Sequence, residues 1–512
     1  MSREAWSAVP IGTSTPGAPT LVDTQSFALL ILFVGGVGLV AVLSSHLTSW
    51  VRVPSPALFL VFAAVAVKIV PALHAPPEQA AERVVTIALV CILFDGGMHI
   101  GWSRLRSAVA PIAVVGVAGT FLTVAAGSVL AHIAFNLSWF LALLVATAVA
   151  PTDPAVVFSV LGQREISGRS GTILEGEAGA NDPVGIALMT GVIAAGGVSG
   201  AAFAHVGGEF ILQMGVGGLV GVVGGRSLLW FIRRVPLPSE GLYPLRTLVS
   251  AFVLFAVATL AHGSGFLAVF VAGIILGDEV APYKREIERF HSALASLGEI
   301  VAFIVLGLTV DLVEISHVDV WLPGLILGAG LAFVIRPVMV GLCLIPARLK
   351  ANERSFVLFA GLKGAVPILL GSYLIAAHEP YSKRLYGIVV VVVVFSVVVQ
   401  GSLVPAVARV LHVPMRTVEQ EPWALGVRLQ DEPDGAHRFT VAAGSPADGS
   451  TIAGLADLPN DAWISFVVRD GRLLSARGAT ELWSGDEVVV LADLDRADEL
   501  SVIFEGPGQT GS

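Results

Sequence analysis

Residues 146–160 read ATAVAPTDPAVVFSV, and this stretch decides what kind of chain surrounds it. It sits inside an apolar run, 137–162, long enough to cross a bilayer, for which ~20 mostly apolar residues are needed. Pro151 and Pro154 each lack an amide donor, so a helix passing through them breaks in mid-membrane. Unwound backbone at that depth is tolerated only where it lines protein or water. The freed carbonyls and the Thr152 hydroxyl can coordinate a desolvated cation while Asp153 supplies a carboxylate, as in the discontinuous helices of transporters. A plain proline kink would leave Asp153 unexplained.

The composition around this stretch agrees with it. The 512 residues are 55% hydrophobic and 13% charged, with a mean hydropathy of +0.82, which points to a polytopic membrane chain. Thirteen helical spans are expected, at about 26–44, 56–74, 83–100, 109–134, 137–162, 172–197, 208–232, 245–262, 264–280, 293–313, 319–346, 355–377 and 385–411. The boundary resting on least is the split at His262, Gly263 and Ser264. Residues 1–25 lack a basic n-region and a cleavage site, so they read as a short disordered tail rather than a signal peptide. Cys91 and Cys343 lie in apolar runs without metal or redox spacing and read as small core residues.

Basic residues are retained on the cytoplasmic side, which orients the spans. Loops after odd-numbered spans carry Arg52, Arg104, Arg106, Arg164, Arg169, Arg233, Arg234, Lys284, Arg285, Arg289, Arg348, Lys350 and Arg354. Loops after even-numbered spans carry only Arg83, Lys383 and Arg384, with Lys68 able to snorkel from a helix end. The expected placement is the inner membrane, with the N-terminus outside and the C-terminal segment in the cytoplasm. That segment, 415–512, holds 17 Asp and Glu against 7 Lys and Arg, a net −10 of the chain's −9. So acidic a tail excludes nucleic acid, and docking on anionic lipid, as its partner.

An ionisable side chain at the bilayer centre costs ~2.5–3.5 kcal/mol on insertion scales, so each one inside a span needs a reason. Asp95, Asp153, Glu175, Glu177, Asp182, Glu299, Arg336 and Lys363 are such residues. Asp95, Glu175 and Glu299 taken singly read equally well as structural charges. Residues 174–191, LEGEAGANDPVGIALMTG, place Asn181 and Asp182 before a proline. Desolvation penalises an isolated carboxylate charge, so a buried acid is neutralised equally by a proton or a cation. One site that cannot hold both ions at once is an antiporter by competition. Glu177, five positions earlier, lies on another face and needs its own partner. Arg336, in LAFVIRPVMV at 331–340, is the natural one, because an arginine stays charged and must be compensated when buried. Lys363 lies in VLFAGLKGAVPILLGSY at 357–373, where Gly361, Gly364 and Pro367 interrupt a second helix. Two broken helices in opposite halves point to an inverted repeat with the site between them, and Lys363 is placed to neutralise helix-end carbonyls.

At these residues the sequence resembles the NhaP and CvrA type of bacterial cation/proton antiporters, within the monovalent cation:proton antiporter superfamily that includes the sodium/proton exchangers. The resemblance covers about 25–410 and rests on CILFDGGM (91–98), APTDP, EGEAGAND, the Arg336-Pro337 pair and GLKGAVP. It implies thirteen spans with two crossing broken helices. Asp182 is then the ion and proton carrier, Asn181 its partner, Thr152 and Asp153 the unwound-helix ligands, and Glu177 with Arg336 a stabilising pair. Asn at 181 resembles the electroneutral, one-for-one exchangers, and the family fold implies a homodimer in the lipid bilayer. No cofactor, and no metal beyond the transported monovalent cation, is implied. Ala178, Gly179 and Ala180 replace bulkier residues of the family motif, and the span-twelve cation is often Arg in the family; neither change removes a ligand.

After a linker at 412–436 the pattern changes to short alternating segments: FTVAAG (439–444), WISFVVRDGRLL (463–474), DEVVVLADL (486–494) and ADELSVIF (497–504). Strand, hairpin, strand and helix follow, with turns at Arg469-Asp470-Gly471 and Ser484-Gly485-Asp486. AGSPADGSTIAGL (443–455) and VRDGRLLSARGATELWSGDEVVVL (468–491) resemble the TrkA-C domain of potassium-transport proteins, which implies a regulatory domain at 437–505 with an unidentified ligand, or a passive cap. Residues 506–512 read as a disordered tail. The glycine run MGVGGLVGVVGG (214–225) follows no strand and serves helix packing rather than phosphate binding.

The reading that competes with an antiporter is a proton-independent cation channel or efflux pathway gated by the tail, which would move ions without proton counterflow. A membrane sensor would bind ions without flux. An intramembrane aspartyl protease needs Gly-x-Gly-Asp, and Ile275-Leu276-Gly277-Asp278 fails that pattern, so no enzyme is expected. The tail favours potassium over sodium by association with potassium systems, not by site chemistry.

Overall fold

A computed structural model describes residues 54–69, 76–161, 164–417 and 435–506, apart from 167, 280, 378–380, 456, 460, 461, 470, 471, 494 and 495, together with positions 32, 35, 36 and 39. The predicted terminal tails, Arg52, the Asp470-Gly471 turn, most of the first span and most of the linker lie outside the described residues. The chain forms two compact units, Met1–Glu419 and Gln420–Ser512.

The first unit is helical. Among the described residues, seven helical runs are long and apolar enough to cross a membrane: Glu78–Phe135, Arg169–Ala195, Gly200–Arg234, Leu242–Leu260, Lys284–Leu308, Val318–Cys343 and Ser382–Val410. A pair bent by 40°, Trp139–Val149 with Pro154–Leu161, and the shorter apolar helices Leu58–Ile69, Gly265–Gly277 and Ala365–Ala376 complete the set. Every predicted span from the second to the thirteenth falls on one of these.

Three boundaries differ from expectation for physical reasons. The loop expected after residue 100 shrinks to Gly101, the one non-helical residue (φ 61°, ψ 169°) inside Glu78–Ala113. Only glycine suits both that φ and the approach of Asp278, whose carboxylate occupies the place of a Cβ and accepts from the Ser103 amide. The tenth span starts at Lys284 rather than 293, because KREIERFH continues the helix amphipathically before the apolar run begins. Helix Gly200–Arg234 likewise outruns 208–232 at both ends. At the contested split, His262 adopts φ 59° and Ser264 caps the next helix by accepting from the Leu267 amide at 3.3 Å.

A two-stranded antiparallel ribbon joins β1 (Arg164–Ile166) to β2 (Met415–Thr417). It places the loop after the bent pair and the chain after the last helix on one side of the unit.

The second unit is a four-stranded antiparallel sheet of β3 (Gly435–Thr440), β4 (Trp463–Arg469), β5 (Arg472–Leu474) and β6 (Glu487–Ala492), ordered β3-β6-β4-β5. Helix Ala497–Glu505 buries Leu500, Ile503 and Phe504 with Phe439, Val467, Val488 and Val490. The expected strand, hairpin, strand and helix thus all form.

Candidate functional site

The two predicted breaks meet. Between Trp139–Val149 and Pro154–Leu161 the chain is unwound at 150–153, and Asp153 begins the second half as its N-cap, accepting from the Ala155 amide through Oδ1 at 2.8 Å. Pro154 at the first helical position needs no donor, which is why the helix restarts there. The other break, 360–364, separates Ala351–Phe359 from Ala365–Ala376. Across the junction the Asp153 amide donates to the Leu362 carbonyl at 2.8 Å. The Lys363 ammonium donates to the carbonyls of Ala150 (2.8 Å) and Pro151 (3.1 Å), the orphan acceptors at the end of Trp139–Val149. Gly364 has no room for a side chain, because a Cβ there would overlap the Asp153 carboxyl.

Two residues absent from the sequence reading satisfy the rest of the second break. Ser396 accepts the Lys363 amide at 3.0 Å and donates to Gln400 Oε1 at 3.1 Å, and Gln400 Nε2 donates to the Phe359 carbonyl at 2.6 Å. Both belong to the π-helical turn Phe395–Gln400, whose widened backbone turns these side chains inward. Their signal was two polar residues, FSVVVQ, in an otherwise apolar run.

Helix Arg169–Ala195 carries the remaining groups. Asn181 braces the first break twice: its Oδ1 accepts the Thr152 amide at 3.3 Å and its Nδ2 donates to Thr152 Oγ1 at 2.7 Å. Asp182 is 9% exposed and, among the described residues, its carboxylate receives no hydrogen bond. Asp153 and Lys363 lie within its electrostatic reach. Glu177, on another face, binds Arg336 in a fork, Nη1 to Oε1 at 2.6 Å and Nη2 to Oε2 at 2.9 Å, and the guanidinium also donates to the carbonyls of Leu358 and Val357. Phe270 fills the space beside Gly179, where a Cβ would strike its ring, which accounts for the glycine at that position of the motif.

The charges read singly separate. Asp95 accepts from Ser292 Oγ at 3.3 Å and pairs with His99 at 3.3 Å, away from the breaks. Glu299 lies within electrostatic reach of Asp153, and its Oε1 is buried without a hydrogen-bond partner among the described residues.

The structure therefore gathers Thr152, Asp153, Asn181, Asp182 and Lys363 at one junction, with Glu177 and Arg336 as a buried brace beside it. Among the described residues no hydrogen bond engages Asp153 Oδ2 or either oxygen of Asp182, and Thr152 Oγ1 keeps a lone pair beside the one Asn181 uses, a hard-oxygen set suited to a small cation or a proton. Residues 31–410 match the model of the sodium/hydrogen exchanger transmembrane domain. The chain belongs to the sodium/hydrogen exchanger family. Residues 436–505 of this exchanger-family chain match the TrkA-C domain model. It is 32% identical to the K(+)/H(+) antiporter NhaP of Alkalimonas amylolytica over 94% of this chain and 84% of that one. To the K(+)/H(+) antiporter NhaP2 of Shewanella oneidensis it is 32% identical over 84% and 75% of the respective chains. The fold is similar to that of the sodium proton antiporter MjNhaP1 of Methanocaldococcus jannaschii, at a TM-score of 0.63 and 20% identity over 77% of this chain and 100% of that one.

Proposed function

We propose that this exchanger-family chain moves one monovalent cation against one proton at Asp182, with Asp153 and Thr152 as further ligands. The observation that carries it is Asp182: a buried carboxylate that receives no hydrogen bond among the described residues, beside two crossing helix breaks. A group left uncompensated by protein is one that a proton or a cation must neutralise. Asn181, spent on Thr152, adds no second carrier, and this supports an electroneutral exchange. Potassium is the proposed cation, supported by the names of the K(+)/H(+) antiporter relatives and by the TrkA-C match. The C-terminal domain is proposed as a regulatory module with an unidentified ligand, and the working form as a homodimer.

We place the second unit in the cytoplasm and the N-terminus outside, in the bacterial inner membrane. The basic residues after odd-numbered spans support this, as does the β1–β2 ribbon, which requires an even number of crossings between residues 164 and 417.

The test uses purified protein in liposomes with a lumenal pH dye and an imposed proton gradient, adding potassium, sodium or lithium to wild type and Asp182→Asn. Cation-driven proton movement lost in the variant supports the carrier and ranks the ions. Its survival in the variant removes Asp182 from that role, and cation flux without proton movement favours a channel.

A further inference from the structure

Arg226 is an intramembrane charge that the site does not use and that the in-span residues read from sequence omit. It lies eight residues before the end of helix Gly200–Arg234, ~12 Å along the axis at the usual rise. Its side chain is exposed on the outer surface of the unit, and among the described residues it has no hydrogen bond or ion pair. The neighbouring arginines are engaged: Arg233 bridges Glu279 at 2.7 Å, and Arg246 donates to the Val235 carbonyl at 2.8 Å while lying over the rings of Phe231 and Tyr243. Arg226 instead lines an open groove of about 670 Å³ between Gly200–Arg234 and Leu242–Leu260, with Ser227, Trp230, Val249, Ser250 and Val253.

A guanidinium does not deprotonate, and at this depth it requires a counter-charge. Among the described residues none pairs with it, but the bilayer supplies one. We propose that the groove binds an anionic phospholipid, its phosphate forked by Arg226 and its acyl chain lying along Val249 and Val253. Arginine suits a phosphate because its planar donors match two oxygens at once. Trp230, one turn away, is the residue type that settles at headgroup level, and the groove's apolar wall continues into the hydrocarbon. Charge complementarity selects a lipid over a bare apolar partner here.

The test takes the full chain in detergent and measures lipid retained by native mass spectrometry, with thermal unfolding alongside. Phosphatidylglycerol, cardiolipin and phosphatidylcholine are added separately, as are inorganic phosphate and glycerol phosphate. Wild type is expected to retain anionic over zwitterionic lipid and Arg226→Gln to lose that preference by about five-fold, the share one basic residue contributes near an anionic surface. Arg226→Lys keeps part of it and Arg234→Gln keeps all of it. Because Arg226 makes no hydrogen bond or ion pair among the described residues, its substitution is expected to leave the fold intact, and unchanged unfolding without lipid verifies this. The proposal falls if Arg226→Gln keeps the preference or if Arg234→Gln loses it equally. It also falls if the soluble phosphates reproduce the thermal shift, or if a cysteine at Val253 crosslinks two copies, which would make the groove a protein interface.

Discussion

The amide of Asp153 donates to the carbonyl of Leu362 at 2.8 Å, so the unwound segments of two helices more than two hundred residues apart are one hydrogen-bonded junction. Neither break can shift without disturbing the other.

Asp182→Asn should abolish cation-driven proton movement without destabilising the fold. The carboxylate makes no hydrogen bond among the described residues, so a neutral isostere removes only a desolvated charge. Proteoliposome transport checked with a thermal unfolding scan decides it: lost transport with an equal or raised Tm is expected.

The Glu177–Arg336 fork is 3% and 6% exposed at its two side chains. Breaking one side of such a pair strands a buried charge and costs ~3–5 kcal/mol, whereas an apolar replacement of both partners is near neutral. Arg336→Met alone should therefore lower unfolding stability sharply, and Glu177→Leu with Arg336→Met should recover most of it. A double variant no better than the single one would contradict a purely bracing role.

Lys363→Met should lower stability by ~1.5–3 kcal/mol for each lost charged hydrogen bond to Ala150 and Pro151. Lys363→Arg keeps the charge and the donors and should be close to wild type. Gly364→Ala, whose Cβ overlaps the Asp153 carboxyl, should cost transport even where the protein remains folded. Unfolding midpoints and transport rates across the three variants separate these effects.

In the second unit, the Arg469 guanidinium hydrogen-bonds the Asp486 carboxylate at 2.8 and 2.7 Å and holds its pKa below the usual carboxylate value, against the opposing effect of burial. A folded pKa below the unfolded one gives stability that is fully present above the unfolded value, ~3.9, and is lost as pH falls through the folded one. Hydrogen-exchange protection of 435–506 in the full chain, corrected for the intrinsic exchange rate at each pH, should thus be unchanged between pH 7 and 5 and fall at lower pH. Asp486→Asn should be less protected at pH 7 and converge with wild type in acid. A constant gap between the two would show that this ion pair contributes nothing.

Span positions and the breaks themselves were legible in the sequence because their causes are local. A run of apolar residues partitions into lipid wherever it occurs, and Pro151, Pro154, Gly361 and Gly364 alter the backbone where they stand. The Glu177 and Arg336 partnership was legible for a related reason, since a buried charge demands an opposite one and few were available. What answers each break was not legible. Ser396 and Gln400 serve the second break from a π turn more than thirty residues away, and Lys363 reaches back over two hundred residues to Ala150. The loop expected at 101–108 vanished because Asp278, remote in sequence, takes the place of a Cβ at Gly101. Hydrophobicity and missing amides are properties of a residue and its immediate neighbours, so the chain alone determined where its helices run, where they open and that the site lies between the openings. Hydrogen bonds to the opened backbone belong to whichever groups packing brings within 3 Å, so only the tertiary structure decided which groups are spent holding the junction and that, among the described residues, Asp182 is left unspent.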